Sequence, residues 1–79
     1  MRLTIVKALK SYLRGHIEKH IANVNVHLEN TVGVAEHSDH LETIEKELET
    51  IAGYEDKLNV LLTNIFAILD LPAPDGEDK

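Results

Sequence analysis

Seventy-nine residues with a net charge of −6 and neither cysteine nor tryptophan describe one small acidic domain. A chain this short buries only about 60% of the surface its unfolded form exposes, so its stability needs a disulfide, a metal or a partner chain. Lack of cysteine excludes disulfides and every thiolate metal motif. With one Phe and two Tyr available, any core is aliphatic. The opening run MRLTIVKALKSYLRGH interrupts each apolar stretch with a basic residue, which leaves no secretory h-region. The most apolar segment, Val60 to Leu69, is about half of the roughly 20 residues that span a bilayer. These features predict a cytoplasmic protein that does not enter membranes.

From Leu3 onward, Val6, Leu9, Leu13, Ile17, Ile21, Val24 and Leu28 recur every three or four positions. That is the period of one helical face, and it predicts a helix over about residues 3–29. Gly15 costs that helix roughly 1 kcal/mol relative to Ala, but the pattern runs through it, which favours a continuous helix over a break into two. The run NTVGVAEH loses the period and carries Gly33, suited to a chain reversal, with Val32 and Val34 expected to fold back over the turn.

In EHSDHLE, two histidines and three carboxylates crowd into seven residues. The composition suits a helix start. Ser38 or Asp39 supplies a cap, Asp39 and Glu42 have capping-box spacing, and acids favour the positive end of the helix dipole. The second helix is predicted over about 39–69, with a heptad seam of Leu41, Ile44, Leu48, Ile51, Glu55, Leu58, Leu62, Ile65 and Leu69. After Leu71 the tail PAPDGEDK can neither continue a helix nor bury apolar area. The chain thus divides into a hairpin domain, 1–71, and a disordered acidic tail, 72–79.

Folding the helices antiparallel pairs positions whose numbers sum to about 68. Ile17 then lies level with Ile51, Val24 with Ile44, and Gly15 with Gly53, the two glycines marking a shared bend or close approach. The fold class is an all-α antiparallel helical hairpin. Its helices can bury only the stripes that face each other, whereas Val60, Leu61, Leu62, Ile65, Phe66, Ile68 and Leu69 cover most of the circumference at the open end. A second copy, completing a four-helix bundle, is the simplest cover. The expected interface is Leu3, Val6, Leu9, Leu58, Leu62, Ile65, Phe66 and Leu69. Charge supports side-by-side helices: residues 1–30 carry a net +3, residues 31–71 a net −7, and the tail −2.

Candidate chemistry is sparse. His16 and His20 are one turn apart, a spacing that lets two imidazoles reach one metal, but HIEKH lacks the Glu that directly follows the first His in zincins. Glu55 interrupts the seam with Tyr12 and His16 within reach. It reads either as half of an acid/base pair or, more ordinarily, as a polar layer that fixes register or oligomer state. Lys7, Lys10, Arg14 and Lys19 are the nucleic-acid candidates of the first helix, unsupported by a reading motif or stacking aromatics. No phosphate loop or nucleophile elbow is present. The expectation is a non-enzymatic protein without a cofactor.

Three segments, HIEKHIANV, LENTVGVAEHSDH and IEKELETIAGYEDKL, together resemble a family of small uncharacterised proteins of tailed bacteriophages, T4-like and marine phages among them. The run that contains them, residues 16–61, is more than half of the chain. The family often has Pro where this chain has Thr31, a departure that loosens the turn and leaves the helices undisturbed. It implies a helical fold, a phage origin and action in the host cytoplasm by self-association and docking of a phage or host protein. A similar small protein encoded beside a recombination helicase of T4-like phages implies the alternative, an accessory of phage DNA metabolism that binds nucleic acid or a helicase through the basic first helix.

Overall fold

The computed structural model describes residues 1–29 and 37–72. They form α1 (Arg2–Glu29), α2 (His37–Thr63) and a single-turn α3 (Ile65–Ile68). α1 and α2 pack antiparallel as an all-α hairpin, with no strand among the described residues. The cross-helix pairs His27–His40, His20–Glu47 and His16–Tyr54 fall within a residue or two of the register expected from the sequence. The turn that joins the helices, with Val32, Gly33 and Val34, lies outside the described residues, as do tail residues 73–79.

α1 is unbroken through Gly15. The expected close approach at the glycines is not found: a Cβ built on Gly15 or Gly53 meets nothing within 4 Å. The two glycines sit on the outer surfaces of their helices. α2 starts at His37, two residues before the expected boundary. Positions 38 and 39 are therefore inside the first turn, where Asp39 places an acid at the positive end of the dipole.

The second helix also fails to run unbroken to Leu69. It stops at Thr63, where Asn64 turns its side-chain amide onto the Val60 carbonyl at 2.7 Å. Asn is a weak helix former for this reason, since its side chain competes for backbone partners. The helix resumes at the next residue as α3 and ends in a Schellman motif. Leu71 N donates to Phe66 O at 2.8 Å and Asp70 N to Ala67 O at 3.1 Å, with Asp70 left-handed at φ 61°. Pro72 follows, where no helix can continue. Arg2 closes the open end by donating from Nη2 to the Ile68 carbonyl at 3.1 Å.

The particle is thin. Its extents are 57 × 28 × 14 Å and its radius of gyration is 18.0 Å, against about 12 Å for a globule of this length. Fourteen ångströms is little more than one helix diameter, so every residue lies near a surface. Leu13, Ile51 and Leu61 are the buried hydrophobic residues among those described.

The open outer position of Gly15 leads to a prediction. Gly15→Ala meets no steric obstacle and removes backbone entropy from the unfolded chain, so it should stabilise the protein by about 0.5–1 kcal/mol. A thermal midpoint raised by about 2–8 °C is the expected readout; a fall would mean that the position is packed against something.

Candidate interaction surface

The hairpin has two unlike flanks. Along α1, His16, His20, Asn23 and His27 step by four, three and four residues, and along α2, His40, Thr43, Glu47, Thr50 and Tyr54 step by three, four, three and four. Each row is a helical stripe, and all nine residues are half-buried where the helices meet. His20 donates from Nδ1 to Oε1 of Glu47 at 2.6 Å, the two side chains being 17% and 20% exposed. Asn23 adds donors to both carboxylate oxygens at 3.4 Å. The His20 hydrogen bond, with smaller contributions from Asn23 and from the charges of His20 and His27, holds the Glu47 carboxyl below its ordinary value.

Ring contacts extend this ladder. His16 stacks on Tyr54 with centroids 4.5 Å apart and planes 5° from parallel, and Tyr12 meets it edge-on at 4.6 Å. Lys57 places Nζ 5.0 Å from the Tyr54 centroid, a cation–π distance. Near the turn end, His27 and His40 meet at 5.8 Å. Nδ1 of His16 and Nδ1 of His40 are enclosed without a hydrogen-bond partner among the described residues.

Within the chain, the polar contacts expected between Glu55, Tyr12 and His16 are made by other residues. His16 and Tyr12 do meet, but their partner across the hairpin is Tyr54, one position before Glu55. That single step is a 100° rotation about the helix and leaves Glu55 exposed. The His16 and His20 rings lie nearly parallel with centroids 6.4 Å apart, and Nδ1 of His20 is engaged by Glu47. Among the described residues no three His or acidic side chains are placed to hold a metal ion.

The opposite flank is apolar. In the expected seam, Ile44, Ile51 and Leu58 of α2 turn toward α1 and Ile65 and Leu69, in and just after α3, are half-buried, while Leu41, Leu48, Glu55 and Leu62 are exposed, Leu41 at 68% and Leu48 at 54%. In α1, Ile21 and Leu28 are likewise exposed. Residues seven apart stack on one stripe, so Lys7, Arg14, Ile21 and Leu28 form a row on α1, as Leu41, Leu48, Glu55 and Leu62 do on α2. Each row is about a quarter turn from the inward direction, and antiparallel packing puts both on the same face. At the observed register the rows lie level as Leu28 with Leu41, Ile21 with Leu48, Arg14 with Glu55, and Lys7 with Leu62.

The residues expected at an oligomer interface divide between these environments. Val6, Leu58, Ile65 and Leu69 are half-buried within the chain, while Leu3, Leu9, Leu62 and Phe66 are exposed. Leu3, Leu69 and Leu71 also line an apolar cleft of about 520 Å³ at the open end, beside Met1 and Arg2. The basic candidates do not form one patch: Lys7 and Arg14 share the apolar flank, Lys10 is half-buried, and Lys19 lies on the other side of α1. No described helix is long and apolar enough to cross a membrane.

The lowered carboxyl of Glu47 sets a pH dependence. Its stabilisation is fully present above the ordinary value of 4.5 and is lost as pH falls through the lower, folded-state value. Glu47→Gln should therefore lower the thermal midpoint near pH 6, and the gap from the parent should close as both are acidified toward about pH 3. A gap that stays constant would assign the acid sensitivity to other groups.

Comparison with family profiles, with curated proteins and with solved structures found no match to this chain.

Proposed function

We propose that this is a non-enzymatic accessory protein that acts by self-association and by presenting its outer surfaces to protein partners, in the phage setting that its sequence resembles. One observation carries the reading: a mainly apolar face, marked by Ile21, Leu28, Leu41, Leu48 and Leu62, is exposed along the hairpin, and no other described element lies over it. Burying a side chain of this size is worth roughly 1.5–3 kcal/mol, so leaving this face in water is unfavourable.

The occupant we infer is a second copy. A compact monomer of 8.9 kDa exposes about 4,800 Å², whereas this chain exposes 6168 Å². A standard interface takes roughly 800 Å² from each partner. The excess of Lys and Arg in α1 and of acids in α2 gives the same face electrostatic complementarity to itself.

The alternative, an accessory of nucleic-acid metabolism, draws on the exposed Lys7, Arg14 and Lys19. Salt-dependent retention of DNA that is lost in Lys19→Glu would favour it, and no retention at low salt would remove it.

Sedimentation equilibrium tests the leading reading. The parent chain should be a dimer at micromolar concentration, and Leu48→Asp should shift it to monomer with weakened thermal stability, by 2 kcal/mol or more in the dimer equilibrium by order of magnitude. A parent that stays monomeric at millimolar concentration would overturn self-association. Dissociation by Lys46→Asp, on the other flank, with none by Leu48→Asp, would mean that the interface lies elsewhere.

A further inference from the structure

The exposed carboxylate of Glu55 is the one interruption in the α2 apolar row, and the exposed guanidinium of Arg14 lies level with it in the α1 row. No ion pair joins them within the chain. Yet each falls two helical turns, about 10.5 Å, beyond the same apolar layer, Ile21 with Leu48. An acid and a base at matched height on an otherwise greasy face are costly to cover unless the covering surface brings their opposites.

Resting on the reading of this face as a self-association surface, we propose that Arg14 of each chain pairs with Glu55 of the other, forming a central charged layer that fixes both the register and the symmetry of the dimer. Two identical faces can stack about a two-fold axis that runs either along the helices or across them. With the axis across the helices and the hairpins fully overlapped, α1 lies on α1 and the mid-height layer folds onto itself. Arg14 then meets Arg14 and Glu55 meets Glu55. With the axis along the helices, α1 lies on α2 of the partner and every layer meets its own level. Leu28 covers Leu41, Ile21 covers Leu48, and Arg14 covers Glu55.

The second arrangement matches apolar with apolar at two levels and positive with negative at a third, and at the fourth it lays the aliphatic stem of Lys7 on Leu62. It places both hairpin turns at the same end of the bundle. It also stacks the basic helix of each chain on the acidic helix of the other, in accord with the charge division along the sequence. The charged layer acts as single buried polar positions do in coiled coils: it weakens alternatives more than it strengthens the native pairing.

Charge exchange tests the pairing. Arg14→Glu and Glu55→Arg should each weaken the dimer on the order of 30-fold or more. The chain carrying both changes should recover most of the loss, since it restores opposite charges at each contact. Single variants that dimerise as tightly as the parent, or a double variant no better than the singles, would overturn the pairing while leaving self-association intact. A parent that does not dimerise at all would overturn both.

The symmetry has its own readout. Glu29→Cys supplies the only cysteine at an exposed site at the end of α1. Spin labels there should lie about 20–30 Å apart with the turns together. A separation of about 45 Å, the span expected with the turns at opposite ends, would overturn the axial arrangement.

Discussion

Two helices packed side by side offer each other one stripe apiece, and what happens to the rest of their apolar surface governs everything else in this molecule. In a body 14 Å thick no side chain can be surrounded on all sides by its own chain. The three buried hydrophobic residues, Leu13, Ile51 and Leu61, sit where the two cylinders touch. Apolar area beyond that line has no destination among the described residues. The sequence nevertheless continues the apolar pattern around the flank through Leu41, Leu48 and Leu62, which leaves these leucines exposed.

The contact between the helices is itself divided. Its apolar half faces the exposed flank, and its polar half holds the His20–Glu47 hydrogen bond, the Asn23 donors and the His16–Tyr54 stack. Such groups add directionality that aliphatic contacts lack: an imidazole seated on a carboxylate at 2.6 Å tolerates no slip of a helix by one residue. Four of the five histidines in the chain are in this ladder, so the hairpin's internal register depends on imidazole contacts. The apolar flank contains no histidine. The polar contacts that set intrachain register and the exposed leucines thus lie on opposite sides of one helix pair.

Much of this was legible in the residues. The two helices, their antiparallel register and the continuity of α1 through Gly15 follow from periodicity alone. Three features did not. The break at Asn64 turns on a side-chain hydrogen bond to Val60, and the pattern of apolar residues on either side gives no sign of it. The start of α2 at His37 lies two residues before the expected boundary.

The rotation of the seam is the most instructive difference. An apolar heptad does not say which of its two positions faces inward. Here Ile44, Ile51 and Leu58 turn in while Leu41, Leu48 and Glu55 turn out. The missed signal was a second row beside the first: His16, His20, Asn23 and His27 keep helical spacing as faithfully as the leucines do. A polar row with that regularity, opposite another such row in His40, Thr43 and Glu47, marks a surface with a fixed neighbour.

The stack at His16 has a practical corollary. Tyr12 and Tyr54 are the chain's two tyrosines, tryptophan is absent, and both phenol rings rest against that one imidazole. Ultraviolet emission from this protein therefore originates at a single height on the rod, so a spectroscopist watching it observes the midpoint of the helix pair and is nearly blind to either extremity.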